Sequence, residues 1–260
     1  MLKSLNLEHV SPLGAPGAKI EKKGSDMENE VEMMGGAATH YRANVATSNY
    51  LAIDRPDIQY STKECSRRMA RPVESDWVAL KHQLRYLKGN PRAVQWFRWK
   101  RTKSPTLKGY SDSDWAGCRR TRKSTSGGCI LFNGHLLKSW SKNQNVIATS
   151  SGEAELYAAV KCAAELLGLK SMAKDLGIET DVELSVDANA TIGMLCRSGL
   201  GKLRHIEVSE LWLQEAVKRK RVLLKKVPGT DNPADLMTKY LGQQDIKHHM
   251  RSLGIEFCLH

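Results

Sequence analysis

The spacing of apolar residues separates a weakly patterned beginning from a helical segment. Residues 1–38 contain prolines, several glycines and an acidic stretch from Asp26 to Glu32 with little periodicity, which is typical of a linker or a disordered remnant. From residue 39 to residue 87 apolar positions recur at helical spacing, and Pro56 and Pro72 divide this stretch into three predicted helices. The third helix is predicted to begin after Ser75, because serine is a favoured N-cap residue.

Beyond a polar, basic boundary at 100–105, the pattern changes to short strands alternating with helices. Asn133-Gly134 is a strong hairpin signal between the second and third of these strands. The order β-β-β-α-β-α-α-β-α predicts one mixed sheet covered by helices, an α/β domain. The predicted strands lie at 107–111, 128–132, 136–140, 182–186 and 222–227, and the predicted helices at 152–169, 188–195, 206–220 and 233–240. We therefore predict a linker (1–38), a helical segment with a short strand at 94–99 (39–104), the α/β domain (105–242) and a C-terminal tail (243–260).

Composition narrows the class of protein. The formal net charge of +12 favours a polyanionic partner, with nucleic acid ahead of a membrane surface, although a merely basic surface is the alternative. No apolar run is long enough to span a membrane, and the first residues do not have the pattern of a signal peptide. The expected location is intracellular, with cytoplasm and nucleus left open. The six cysteines form no C-x-x-C pair, which argues against a zinc site.

Four acidic residues occupy ends of predicted elements that meet at one edge of such a sheet. Asp112 ends the first strand of the α/β domain, Asp187 ends the fourth, and Glu155 and Asp235 lie in the first turns of helices. Two like charges about 4 Å apart repel by about 4 kcal/mol at an effective dielectric constant near 20, so the cluster requires cations. Mg²⁺ prefers oxygen ligands, and a pair of such ions assists phosphodiester hydrolysis.

Each of these acids has a simpler interpretation, and three have rivals nearby. A single aspartate after a strand is commonly a helix cap or a turn residue. Asp114 would share a strand face with Asp112, Glu153 lies two residues before Glu155 but on another helix face, and Asp231 suits a turn better than Asp235 does.

Basic residues crowd the loop between the first two strands of this domain. They could hold phosphates, with three following hydroxyl side chains donating hydrogen bonds, or they could form a solvated turn. A second basic run at 218–226 has the same two interpretations, and His205 is interpreted as a capping or packing residue. The candidate nucleic-acid-binding residues are Arg120, Arg122, Lys123, Ser124, Thr125 and Ser126, beside Arg119.

Several local strings resemble one family of mobile elements. GYSDSDWAG, RKSTSGGCILFNG, SWSKNQNVIATSSGEAELYA, VDANATI, RHIEVSELWLQEAV and NPADLMTKYL are similar to the ribonuclease H domain of copia-type long-terminal-repeat retrotransposon Pol polyproteins, and together they cover 109–241 almost without a gap. The stretch 41–89 resembles the C-terminal end of the reverse transcriptase that precedes this domain. The resemblance extends over about residues 40–241.

The resemblance implies a ribonuclease H-like fold, with a five-stranded mixed sheet whose first strand is central. It implies a metal-dependent endoribonuclease that hydrolyses the RNA strand of RNA·DNA hybrids with two Mg²⁺ ions (Mn²⁺ being possible), and a polymerase portion of reverse transcriptase as partner. The implied metal ligands are Asp112, Glu155, Asp187 and Asp235. Unlike cellular ribonucleases H, the loop 228–232 before the last aspartate has no histidine. Ala188, Ala190 and Thr191 stand where relatives commonly carry Asn, Gln and Ser.

Two other functions compete with this one. A truncated, catalytically silent remnant that still binds nucleic acid fits the basic composition. An integrase or transposase core shares the general fold, but those proteins have the glutamate last in the order of acids, whereas here it is second. No two aspartates are adjacent, so the Tyr-x-Asp-Asp signature of a polymerase is missing.

Overall fold

A computed structural model describes residues 9–18, 30–98, 104–199 and 211–258 of this chain. Two compact units emerge from its contacts. The first, here called the helical unit, comprises Met1–Gln95, Lys239–Arg251 and Ile255–His260. The second, the sheet unit, comprises Trp96–Thr238 and Ser252–Gly254. Among the described residues, no helix is both long and apolar enough to cross a membrane.

Helices and strands follow one another along the chain in the order that the pattern predicts for residues 39–227. In chain order they are α1 (Gly35–Leu51), α2 (Pro56–Ser66), α3 (Glu74–Gly89), β1 (Ala93–Gln95), β2 (Thr106–Asp114), β3 (Thr125–Phe132), β4 (His135–Asn143), α4 (Ser151–Asp175), β5 (Asp181–Val186), α5 (Asn189–Cys196), α6 (Trp212–Lys218), β6 (Leu223–Lys226), 3₁₀ turns at Gly229–Asp231 and Pro233–Met237, α7 (Gln243–Ser252) and β7 (Ile255–Phe257).

Three helices form the core of the helical unit, as their apolar spacing predicts. Tyr41 of α1 is fully buried, and its hydroxyl donates to the carbonyl of Cys65 in α2 at 2.8 Å. The prediction that Ser75 caps the third helix is wrong. The helix begins at Glu74, and the Asp76 carboxylate accepts the backbone N–H of Val73 at 2.9 Å, so this acid caps the helix from inside its first turn.

A buried ion pair lies in the same unit. The guanidinium of Arg55 donates two hydrogen bonds to the carboxylate of Asp57, at 2.9 and 2.7 Å, and the hydroxyl of Tyr86 donates to the same carboxylate at 2.7 Å. Arg55 also donates to the carbonyl of Asn90 at 3.0 Å and lies 5.6 Å from the ring centre of Phe257. Because both charges are satisfied by several partners, their burial is tolerated.

The stretch 243–260, predicted only as a tail, contains α7 and β7. β7 pairs antiparallel with β1, and Val94 faces Glu256 in the register. β1 is shorter than the strand predicted at 94–99, because pairing involves only residues 93–95.

Five strands form one sheet in the sheet unit, in the order β4-β3-β2-β5-β6. β2 is central: it pairs antiparallel with β3 and parallel with β5, so the sheet is mixed. Asn133 and Gly134, with φ of 50° and 88°, make the predicted tight turn between β3 and β4. This topology confirms the predicted fold class and the central position of the first strand.

Helix α4 crosses β2 closely because Gly109 has no side chain. A Cβ at Gly109 would lie 2.7 Å from both the sulfur of Cys162 and a methyl carbon of Leu166, which is too close for any side chain. Leu166 belongs to the buried core with Leu107 and Leu184 of the neighbouring strands. The close approach holds the helix, and hence its first turn, against the central strand.

One predicted helix differs from the observed structure, and the start of another lies outside the described residues. The stretch 233–240, predicted as a helix, forms only a short 3₁₀ turn at Pro233–Met237. The helix predicted at 206–220 is described only from Trp212 to Lys218, and His205 lies outside the described residues.

Candidate metal centre

Three of the four predicted acids lie together at one end of the sheet unit. Asp112 is near the end of the central strand β2, Asp187 directly follows the adjacent parallel strand β5, and Glu155 lies in the second turn of α4. One carboxylate oxygen from each lies within 4.8 Å of the others. Asp112 and Glu155 are buried, and Asp187 is half-buried. We call these three residues the acidic cluster.

Glu155 is buried beside two other carboxylates. Its Oε1 accepts hydrogen bonds from the backbone N–H of Ser113 at 3.1 Å and from the Ser113 hydroxyl at 2.8 Å. Its Oε2 is buried and has no hydrogen-bond partner among the described residues. Burial first, and then the negative charge of Asp112, raise the pKa of Glu155 to about 8; the Ser113 hydrogen bond opposes this and Asp187 adds to it.

This arrangement fits a hard divalent cation. All the candidate ligand atoms are carboxylate oxygens, which Mg²⁺ and similar ions prefer, and Oε2 of Glu155 is buried without a hydrogen-bond partner among the described residues. A buried polar atom left in this way is costly unless a cation, a proton or a hydrogen-bond donor satisfies it. The acidic cluster therefore fits divalent metal binding.

Asp235 is not part of the group of mutually close oxygens. It lies in the 3₁₀ turn at Pro233–Met237, which packs on the same end of the sheet: the Ser141 hydroxyl of β4 donates to the carbonyl of Met237 at 2.5 Å. Its role as a metal ligand stays a prediction.

The rival acids are outside the cluster. Glu153 is buried and caps the start of α4. Its Oε2 accepts hydrogen bonds from the backbone N–H of Thr149 at 2.8 Å and from the Thr149 hydroxyl at 2.6 Å. The carboxylate of Asp114 lies over Gly117, where a Cβ would come within 1.6 Å of its Oδ2. Asp231 is exposed in the 3₁₀ turn at Gly229–Asp231.

The basic loop between β2 and β3 presents its charges to solvent. Arg120 and Arg122 are exposed and Lys123 is half-buried. Backbone hydrogen bonds close the loop, from Arg122 N–H to the Cys118 carbonyl at 2.7 Å and from Cys118 N–H to the Lys123 carbonyl at 3.2 Å. The basic side chains therefore extend from a turn that its own backbone hydrogen bonds hold together.

The three hydroxyl side chains that follow this loop are buried, which the sequence did not indicate. The Ser124 hydroxyl accepts the backbone N–H of Ala116 at 3.0 Å, and the Ser126 hydroxyl accepts the side-chain amide of Gln144 at 2.9 Å. Thr125 is 1% exposed. All three hydroxyl residues are thus buried, and Ser124 stabilises the loop; their contact with phosphates stays a prediction.

Sequence reasoning missed the residues that surround the acidic cluster. Ser113 holds Glu155, and the hydroxyl of Thr238 donates to Oδ2 of Asp112. Trp115 lies 47% exposed, although its indole N–H donates to the Ala148 carbonyl at 3.0 Å, so an aromatic ring is held at the surface just beyond β2. No short motif identifies these contacts, because each one joins distant parts of the chain.

Comparison with known proteins places the chain among mobile elements. It is 31% identical over 244 residues, 92% of its length, to the Retrovirus-related Pol polyprotein from transposon TNT 1-94 of Nicotiana tabacum. It is 32% identical over 221 residues, 84% of its length, to the Retrovirus-related Pol polyprotein from transposon RE2 of Arabidopsis thaliana. The chain belongs to the copia-type retrotransposon Pol family. It spans 18% and 15% of the lengths of those two polyproteins.

The sheet unit has the five-stranded mixed sheet flanked by helices that the resemblance predicts. Similar solved structures include LC11-RNase H1 in complex with RNA/DNA hybrid, with a TM-score of 0.36, 16% identity and coverage of 51% of this chain and 94% of that one. Another is the N-terminal RNase H domain of rv2228c from Mycobacterium tuberculosis, fused to maltose binding protein, with a TM-score of 0.34 and 14% identity over 57% of this chain and 99% of that one. No protein-family model matches the chain.

Proposed function

We propose that the sheet unit is a metal-dependent endoribonuclease that hydrolyses the RNA strand of RNA·DNA hybrids as part of a retrotransposon Pol polyprotein. The observation that carries this proposal is the convergence of Asp112, Glu155 and Asp187 to within 4.8 Å on a sheet of ribonuclease H-like topology. Membership in the Pol family supports the choice of substrate, and the polymerase portion of reverse transcriptase is the proposed partner.

In this proposal Asp112, Glu155, Asp187 and Asp235 would be the ligands that hold the two divalent ions. Two Mg²⁺ ions, when bound, would activate water and neutralise charge on the leaving 3′-oxygen of the cleaved strand. Glu155 would also meet the 2′-hydroxyl side of the RNA, and that hydroxyl distinguishes RNA from DNA. Since the loop 228–232 has no histidine, we propose that water delivers the proton to the leaving group.

Contacts with the hybrid are proposed for the loop that follows β2. Arg120, Arg122 and Lys123 supply positive charge for backbone phosphates. The exposed ring of Trp115 lies in the same loop, held by its bond to Ala148, and offers a flat apolar face to a sugar or a base. Aromatic and basic groups combined in one exposed loop beside the acidic cluster suit a nucleic acid better than a protein partner.

One candidate function competes with cleavage. Asp235 lies outside the acidic cluster, which favours a protein that binds nucleic acid through its basic loop without cutting it. Both functions require binding to nucleic acid, but only the nuclease cleaves it. A cleavage assay with binding measured in parallel therefore separates them.

The test is cleavage of an end-labelled RNA·DNA hybrid by the full chain in Mg²⁺, with binding measured in parallel. Asp112→Asn and Asp187→Asn are expected to lose cleavage by at least about a hundredfold while retaining hybrid binding. Asp231→Asn is the matched control, because it removes a nearby carboxylate that is outside the cluster. A wild-type chain that binds the hybrid but leaves it intact supports the silent binder and refutes the nuclease.

A further inference from the structure

Thr238 lies directly against the acidic cluster although it is far away in the sequence. Its side chain is fully buried, and its hydroxyl donates a hydrogen bond to Oδ2 of Asp112, 126 residues earlier in the chain. A hydroxyl that donates to an ionised carboxylate makes a stronger bond than one between neutral groups. The contact therefore restrains the carboxylate of one proposed metal ligand.

The sheet has space for the Thr238 side chain beside Gly127 of β3. A Cβ at Gly127 would come within 2.6 Å of the Thr238 methyl carbon and within 3.0 Å of the Ala234 carbonyl oxygen. Gly127 is the direct cross-strand partner of Asp112 in the pairing of β2 with β3. Because Gly127 of β3 has no side chain, there is space beside it in which Thr238 reaches Asp112.

The other end of the same turn is tied to the preceding residue of β2. Asn232 is fully buried, and its side-chain amide donates to the Ser111 carbonyl at 3.0 Å while its Oδ1 accepts the Ala234 N–H at 3.2 Å. Hydrogen bonds at both ends of the turn thus end on consecutive residues, Ser111 and Asp112. This arrangement sets the position of the turn, with Asp235 between its ends, relative to the central strand.

We infer that Thr238 is a positioning residue for the metal centre, which holds the Asp112 carboxylate in the orientation that binds a divalent cation. The hydroxyl occupies one oxygen and limits rotation of the carboxylate, so less ordering remains when an ion binds. Groups behind metal ligands commonly change metal affinity by ten- to a hundredfold when they are removed. The inference rests on metal binding by the acidic cluster, as the proposed function does, and does not depend on which nucleic acid is cleaved.

The test measures Mg²⁺ affinity of the full chain by isothermal titration calorimetry, with Mg²⁺ alone as the probe. Thr238→Val keeps the shape of the side chain and removes the donor, and it is expected to weaken Mg²⁺ binding about tenfold or more. Thr238→Ser keeps the donor and is expected to remain within about threefold of the wild type. Urea unfolding in EDTA, measured on the same proteins, reports any change in folding stability separately.

The outcomes distinguish this inference from the proposed function. Equal Mg²⁺ affinity for wild type and a folded Thr238→Val protein overturns the inference alone, because a purely structural residue changes stability and leaves affinity intact. A wild type that binds no Mg²⁺ overturns both. If the valine variant fails to fold, Thr238→Ala, which needs less space, replaces it with the same expected loss, and wild-type affinity in that variant overturns the inference.

Discussion

Replacing Glu155 by glutamine is expected to stabilise the metal-free protein. Glu155 has a pKa raised to about 8, by burial first and by Asp112 next, from an ordinary value of 4.5. Between these two values the folded protein holds a proton that the unfolded chain releases, so the free energy of unfolding falls as the pH rises through this window. Glutamine has no proton to release and avoids this loss.

The expected gain in stability follows from the size of the Glu155 pKa shift. One pKa unit corresponds to about 1.4 kcal/mol. Ionisation of Glu155 therefore lowers the free energy of unfolding of the wild type by on the order of 3 kcal/mol at pH 7, and by less than about 1 kcal/mol at pH 5. The amide oxygen of glutamine can still accept the two Ser113 hydrogen bonds that Oε1 accepts now. Its NH₂ group would replace Oε2, which is buried without a hydrogen-bond partner among the described residues, and could donate toward the neighbouring carboxylates.

The assay is urea unfolding in EDTA at pH 5 and pH 7, repeated at pH 7 with saturating Mg²⁺. In EDTA the variant should exceed the wild type in stability, by more at pH 7 than at pH 5. Mg²⁺ should stabilise the wild type, because binding to the folded state neutralises the cluster, and should stabilise the variant much less. Glu183→Gln, in β5 and outside the acidic cluster, is the control for removing a carboxylate from the same sheet.

Two results would refute this reasoning. One is a Glu155→Gln protein that is less stable than the wild type at pH 7 in EDTA. The other is a stability difference that does not change between pH 5 and pH 7, which would mean that ionisation of Glu155 is not the source of the effect.

Two further predictions concern the buried ion pair and the basic loop. Asp57→Asn should lower the free energy of unfolding by about 3–5 kcal/mol, because buried Arg55 loses its charged partner, whereas Tyr86→Phe should cost about 1–3 kcal/mol. Urea unfolding checks this, and equal losses would contradict it. Arg120→Gln and Arg122→Gln should each reduce the slope of log affinity against log salt for a hybrid by about one. Fluorescence anisotropy measures the slope, and an unchanged slope in both variants would exclude the phosphate contacts.

Local patterns were reliable wherever one buried face decided the structure. Helical spacing of apolar residues predicted α1 to α3, and the Asn133-Gly134 pair predicted the turn between β3 and β4. These features depend on neighbours a few residues apart, whose conformations are set by local sterics and by the burial of one face. The order of elements then limited the domain to one mixed sheet, which the pairing of the central strand β2 confirms.

Local patterns failed where a polar residue has its partner on another element. Ser124 and Ser126 follow a basic loop, a position that favours exposed hydroxyls able to donate to phosphates. Instead, both hydroxyls are buried and accept hydrogen bonds from Ala116 and Gln144. Pro233–Met237 has the composition of a helix start, but contacts with the sheet hold it as a short 3₁₀ turn. A one-dimensional pattern contains no information on which distant partner a hydroxyl or carbonyl finds.

The amino-acid sequence alone therefore determined the class of fold, the family resemblance and the candidate acids, since strand ends and helix starts are local features that converge in any sheet of this order. Tertiary structure decided which acids meet. It brought Asp112, Glu155 and Asp187 together, left Asp235 outside that group, and placed Thr238 on Asp112 across 126 residues. The physical reason is distance along the chain: these contacts join residues on different elements, and the close packing of the sheet and α4 determines which side chains have room.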